Sequence, residues 1–300
     1  MKVGFIGLGA MGLPMAKNVL SGGHELFTVV HKRTEPGKEL ERLGAVVCAT
    51  SEEVARKSEV VITVLPADAE LKEVVLGAHG VAKGLEKGKV LIEMTTATSM
   101  TMAEVAKVLE RGGIEVLDAP VSGGTPKAAS GELTIIVGGD AKVLERWRPL
   151  LETMGTAIYH VGGVGAGKVV KMVNQLMAAV HLAIIGEAFT LGVKSGADPA
   201  TMAKVIRDSS GYSRMLDLRL ESFILADTFV PGFKLDLMKK DVDLAVDASR
   251  ALNVPLELGT AVAKMLGSAS SAGMGDQDFS IAAKYLADRA GVKLSGGARS

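Results

Sequence analysis

Residues 1–162 predict an α/β domain with a doubly wound parallel sheet, and residues 163–300 predict an all-helical one. Three observations carry this reading. Short apolar runs in the first half alternate with stretches of helical spacing. The first run leads directly into the glycine pattern Gly7-Leu8-Gly9-Ala10-Met11-Gly12. After VGGVGAG at 161–167 the strand-like runs stop, and Ala-, Leu- and Met-rich segments with helical spacing continue to about residue 289.

The runs are KVGFIG (2–7), LFTVV (26–30), VVITVLP (60–66), KVLIEMT (89–95), IEVLDAPV (114–121) and LTIIVGG (133–139). They are continuous Val/Ile/Leu stretches rather than alternating ones, as a parallel sheet covered on both faces requires. Between them lie helices at 101–111, following Thr98 and Ser99, and at 140–152, opening at Asp140, with those residues as N-caps. The glycine-rich turn at 162–167 is the predicted domain boundary, and the closing SGGARS (295–300) is expected to fray.

Composition narrows the function. A chain of 300 residues with 48% hydrophobic and 23% charged residues is an ordinary globular protein, long enough for two cores. Lys plus Arg and Asp plus Glu balance at 34 each, so nothing points to nucleic acid or a membrane surface as partner, and a small molecule is expected. The single cysteine, Cys48, excludes an internal disulfide and suits a reducing compartment. The histidines at 24, 31, 79, 160 and 181 have no metal-ligand spacing, so no metal is expected. The N-terminal apolar run is short and broken by glycine, unlike a signal or anchor, which makes the cytoplasm the expected location.

G-x-G-x-x-G between a strand and a helix has a mechanism. The first glycine permits a tight turn, the second lets a pyrophosphate approach the backbone, and the third packs helix against strand. With Ala10 and Met11 at the helix start, Gly7, Gly9 and Gly12 form a Rossmann-type dinucleotide site. The second strand ends in His31-Lys32-Arg33, and the nearest acid, Glu35, precedes Pro36 where Thr34 caps the next helix. Lys32 and Arg33 therefore favour a 2′-phosphate, and NADP over NAD, against the alternative that they simply project into solvent.

Two further stretches bear chemistry. DAPVSGGTPKAASGEL (118–133) presents Ser122, Gly123 and Gly124 in a turn whose N–H groups suit a carboxylate, or which is an ordinary strand-to-loop turn. GAGKVVKMVNQ (165–175) places Lys171, Asn174 and Gln175 on one helix face, a pattern that spacing alone leaves as solvent decoration.

Together, GFIGLGAMGLPMAKNVL, DAPVSGGTPKAASGELTIIVGG and GAGKVVKMVNQ resemble the β-hydroxyacid dehydrogenase family, as do LP at 65–66, KKDVDLA at 239–245 and GDQDFS at 275–280. The resemblance implies a Rossmann domain followed by a helical domain built around a long helix, a nicotinamide cofactor, and a homodimer or homotetramer. It implies that Lys171 is the catalytic lysine, exchanging a proton with the substrate oxygen, and that Asn174 positions lysine and substrate. Ser122, Gly123 and Gly124 match the substrate-carboxylate turn. Leu65, Pro66 and Thr96 match cofactor-lining positions, and Lys240 matches a lysine reaching both cofactor and substrate. Gln175 departs from the commoner paired asparagines, which weakens any role for residue 175. A scaffold that binds cofactor without turnover, or an imine reductase of the same fold, is the alternative; Lys171 with Asn174 argues against both. Tyr212, Arg214 and Phe233 are candidates for the acyl pocket and equally acceptable as packing or surface residues. GTP at 124–126 and NQ at 174–175, a pair that tartronate semialdehyde reductases also carry, point towards tartronate semialdehyde and SSGYS at 209–213 towards 2-(hydroxymethyl)glutarate, so the substrate is open among short β-hydroxyacids and their semialdehydes.

Overall fold

The computed structural model describes residues 1–31 and 33–295; Lys32 and residues 296–300, with the expected fraying of the tail, lie outside the described residues. The chain divides into two compact units, Met1–Lys171 and Met172–Ser300.

The first unit is built on strands β1 (Lys2–Ile6), β2 (Glu25–Val29), β3 (Val46–Cys48), β4 (Val60–Thr63), β5 (Val90–Glu93) and β6 (Glu115–Asp118). They are parallel, in the order β3-β2-β1-β4-β5-β6, with Val3 opposite Leu26, Phe5 opposite Ile62 and Glu93 opposite Asp118. Continuous apolar runs are explained by what their alternate residues do. Val60, Ile62, Val90, Ile92 and Leu117 enter one core with Met15 and Trp147, while Val61, Leu91 and Val116 enter a second with Val54 and Met102. Both faces are buried, as the doubly wound architecture demands. Because the strand order reverses between β1 and β4, the loops after these strands diverge and leave a crevice at their C-terminal ends.

Helices α1 (Gly12–Ser21), α2 (Glu35–Arg42), α3 (Ser51–Lys57), α4 (Asp68–Leu76), α5 (Val81–Gly84) and α6 (Ser99–Arg111) connect these strands. Two expected caps are realised: Thr98 accepts from the Thr101 N–H, and Asp140 accepts from Lys142 and Val143 at the start of α8 (Ala141–Leu151). Thr34 occupies the N-cap of α2, but its side chain makes no capping hydrogen bond.

Beyond β6 the sheet becomes mixed. The run at 114–121 is broken by Ala119-Pro120, since proline has no N–H to give the ladder; β7 (Val121–Ser122) resumes after it, and α7 (Gly124–Ser130) follows. β6 and β7 pair antiparallel with successive stretches of β8 (Leu133–Gly139), and β9 (Gly155–Gly162) runs parallel to β8.

The long helix α9 (Ala166–Lys194) begins in the first unit and continues into the second. There it is followed by α10 (Pro199–Arg207), α11 (Arg214–Arg219), α12 (Leu235–Ala251), α13 (Glu257–Ala269) and α14 (Ile281–Arg289), with π-helical turns after α11 and α13. Ala179, Leu182, Ile185 and Phe189 of α9 pack with Leu216, Met238, Val242, Leu266 and Ile281 in one core. By length and composition alone α9 is apolar enough to cross a membrane, and Val170, Met177, Ile184 and Leu191 form a second, exposed apolar stripe along it.

Candidate active site

The fingerprint glycines have three different reasons to be glycine. Gly7 has φ +105°, and a Cβ there would lie 2.1 Å from the Val64 carbonyl oxygen. A Cβ on Gly12 would lie 1.8 Å from the Gly7 carbonyl oxygen. These two close the turn between β1 and α1. Gly9 differs: a Cβ there would meet nothing within 4 Å, so nothing in the fold forbids a side chain. Together with exposed Ala10 and half-buried Met11 it opens the start of α1 to a ligand, which fits a cofactor pyrophosphate against the helix N-terminus.

Leu65 and Pro66 follow β4, which lies next to β1 in the sheet, and Thr96 follows β5, one strand further on. The Leu65 N–H donates to Thr95 Oγ1 at 2.9 Å, which ties the two tips together. On the other side of β1, Arg33 and His31 are exposed beyond the end of β2, and Glu35 already belongs to the first turn of α2.

The start of α9 is anchored by two carboxylates. Asp118, fully buried, accepts from the Gly165 N–H at 2.6 Å and the Lys168 N–H at 2.9 Å. Gly167 allows this contact, since a Cβ there would lie 2.6 Å from the Ile136 carbonyl oxygen and 2.7 Å from Asp118 Oδ2. Burial pushes the Asp118 carboxyl above its ordinary value, against the pull of the Lys168 charge and the two backbone donors. Lys168 extends inward to Glu93, with both side chains wholly inaccessible.

One turn later α9 carries the expected trio, and the structure separates its members. Lys171 and Gln175 are each 6% exposed, whereas Asn174 is exposed. In the second unit Asn174 Nδ2 donates to Gln175 Oε1 at 3.2 Å, Gln175 Nε2 donates to Asp241 Oδ2 at 2.7 Å, and Lys240 Nζ lies 2.9 Å from Asp241 Oδ1. The residue expected to matter least, Gln175, thus joins Asn174 to Asp241 and the Lys240 pair.

Ser122, Gly123 and Gly124 form the turn from β7 into α7, with φ +138° at Gly123 and +69° at Gly124. Both angles lie where glycine moves freely and other residues are strained, so the turn needs glycine at these two positions. Two of the acyl-pocket candidates have partners within the second unit. The Tyr212 hydroxyl donates to Asp217 at 2.6 Å, and Phe233 packs edge-on against Phe279 at 6.1 Å. The loop carrying Phe233 is held by buried Asp278 of GDQDFS, which accepts from the Gly232 and Phe233 N–H groups at 3.1 Å each.

Sequence reasoning passed over Glu93, Asp118, Lys168 and Asp241. A signal existed for the first two: each is an acid at the end of an apolar run destined for a buried parallel strand. Among the described residues, no three of His, Cys, Asp or Glu come together as a metal site.

Two family models match the chain one after the other. A family model described as the NAD binding domain of 6-phosphogluconate dehydrogenase matches residues 2–162. A second, described as NAD-binding of NADP-dependent 3-hydroxyisobutyrate dehydrogenase, matches residues 165–286. The chain is 38% identical to 2-(hydroxymethyl)glutarate dehydrogenase of Eubacterium barkeri, over 99% of this chain and 98% of the relative. It is 37% identical to 2-hydroxy-3-oxopropionate reductase of Escherichia coli K12, over 98% and 100%. Among solved structures it resembles Mycobacterium tuberculosis 3-hydroxyisobutyrate dehydrogenase with L-serine, at TM-score 0.89 and 31% identity over 95% of this chain and 98% of the other.

Proposed function

The chain belongs to the β-hydroxyacid dehydrogenase family, and from that premise we propose how its residues divide the work. It is an NAD(P)-dependent oxidoreductase that interconverts a small hydroxy acid and its carbonyl form. The cofactor is held by Gly7, Gly9, Ala10, Met11 and Gly12, with Leu65, Pro66 and Thr96 lining its course and Lys240 reaching towards it. When bound, the nicotinamide supplies or accepts the hydride.

Lys171 handles the proton. During reduction the substrate carbonyl oxygen gains negative charge, and the Lys171 ammonium neutralises it by giving up a proton; during oxidation the neutral amine removes the proton from the hydroxyl. The observation that carries this reading is the buried Lys171 on α9, followed one turn later by the Asn174–Gln175–Asp241–Lys240 chain. A lysine is seldom buried without a use for its charge. Asn174 orients the substrate oxygen, and the Ser122-Gly123-Gly124 turn receives the carboxylate. The substrate is a short β-hydroxyacid or its semialdehyde, of the tartronate semialdehyde, 3-hydroxyisobutyrate or 2-(hydroxymethyl)glutarate type. NADP is preferred over NAD because the tip after β2 offers exposed Arg33, while the first acid, Glu35, is in the turn of α2. The exposed stripe Val170, Met177, Ile184 and Leu191 supports a homodimer or homotetramer, which light scattering would measure.

The test is oxidation of NADPH and NADH with a panel of short semialdehydes, in the unmodified protein and in Lys171→Ala. Turnover should fall by at least about 10²-fold in the variant with cofactor binding unchanged. Near-full turnover in Lys171→Ala would remove that residue from the mechanism.

A further inference from the structure

We propose that Lys168 is a positioning residue for the reaction. Its buried ammonium binds the ends of β4 and β5 to the first turn of α9, and so fixes Lys171 relative to the loops assigned to the cofactor. The inference rests on the reading of Lys171 given above.

Every hydrogen of the Lys168 ammonium has a directed use. Nζ donates to the Glu93 carboxylate, to the Glu93 carbonyl oxygen at 3.1 Å and to the Thr95 carbonyl oxygen at 2.6 Å. The Glu93 carboxylate in turn accepts from the Thr95 N–H at 2.8 Å, and Thr95 Oγ1 accepts from the Leu65 N–H at 2.9 Å. An unbroken chain of hydrogen bonds therefore runs from the tip of β4, through the tip of β5, to α9. The main chain of α9 at the same turn is held by Asp118 through the Gly165 and Lys168 N–H groups. Lys171 lies three residues further on, about 4.5 Å along the axis and on nearly the same face.

Stability alone gives no reason for this arrangement. Taking ions out of water is costly, and an apolar pair of equal volume generally serves a core as well or better. What a methyl group cannot do is hold two carbonyl oxygens and a carboxylate in fixed directions. Displacing a reacting group by about 1 Å can cost roughly 10²-fold in rate, so a device that fixes the lysine against the cofactor loops has a kinetic value distinct from its contribution to folding.

The experiment separates those two values. Lys168→Met alone leaves the Glu93 carboxylate buried without its cation and should lower the melting temperature. Adding Glu93→Leu removes both charges and should recover most of that loss. In the recovered double variant, kcat should remain at least about 10-fold below the unmodified protein while KM for the substrate changes by less than about threefold. Recovery of stability together with kcat within about threefold of the unmodified protein overturns the proposal, because the network then serves folding only. If the double variant does not fold, Lys168→Gln decides: it keeps a shorter, neutral donor, and the proposal requires at least about a 10-fold loss in kcat, full turnover overturning it. Lys171→Ala in the same assay keeps the two readings apart. If it turns over normally, the parent assignment of Lys171 fails whatever the network variants do. If it is inactive while the double variant is fully active, only the positioning role of Lys168 fails.

Discussion

Substituting Gly9 and Gly12 separately by alanine should divide folding from cofactor binding within one six-residue motif. At Gly12 the added methyl would sit 1.8 Å from the Gly7 carbonyl oxygen, so α1 must move away from β1 by more than 1 Å. Overpacking of that kind costs about 1–3 kcal/mol. At Gly9 the methyl meets no atom within 4 Å and the backbone needs no left-handed conformation, so stability should change by no more than about 0.5 kcal/mol. On the proposed reading, the same methyl points into the space through which the phosphates approach the backbone. Losing one hydrogen bond to a charged group costs about 1.5–3 kcal/mol, and each 1.4 kcal/mol is tenfold, so the cofactor Kd should rise roughly 10- to 140-fold. Denaturant unfolding measures the first quantity and titration of nicotinamide fluorescence the second. Gly9→Ala with an unchanged Kd would refute the reasoning, as would a loss of stability equal to that of Gly12→Ala.

Three further outcomes follow from the same geometry. Ser122→Ala should raise the substrate KM by about 10-fold with little change in kcat, because a bond to the carboxylate is present in ground and transition states alike; an unchanged KM across the acid panel would make the turn structural. Replacing Lys32 and Arg33 together by alanine should lower kcat/KM for NADPH by at least about tenfold and leave NADH unaffected, whereas an NADH preference in the unmodified protein would sink the assignment. Asp118→Asn should destabilise the chain by about 1–3 kcal/mol near neutral pH, since an amide supplies one acceptor where the Gly165 and Lys168 N–H groups need two. The sign of the pH effect is also fixed. Burial raises the Asp118 carboxyl above its ordinary 3.8, so the folded chain holds this proton more tightly than the unfolded one. Its contribution is least favourable above the raised value, improves as pH falls through it, and levels off below 3.8. Comparing acid unfolding of the protein and the Asn variant over that window would expose the difference.

Sheet architecture was legible where physics made the signal continuous. Val60, Val61 and Ile62 are all apolar because neighbours on one strand serve opposite cores. β3 and β9 escaped notice for the converse reason: β3 has three residues, and β9 is half exposed, so neither carries a run. The glycine fingerprint was legible because backbone geometry demands glycine at 7 and 12, and sequence records such demands directly.

Charged residues are harder, because spacing shows which side chains share a face but not what accepts them. Lys168 and Lys171 are three apart on one helix and look equally solvated in sequence, yet both are buried. The partner of Lys168 is on a strand 75 residues earlier in the chain. That partner did leave a trace. A glutamate at the end of VLIE and an aspartate at the end of EVLD sit opposite one another on adjacent buried strands, where isolated charge is prohibitive. Two such acids ending neighbouring parallel strands require a cation or a helix start beyond the sheet edge, and here α9 supplies both, the Lys168 ammonium to Glu93 and its first N–H groups to Asp118. The acids at the strand ends therefore specify where α9 must begin, and through it the height at which Lys171 stands.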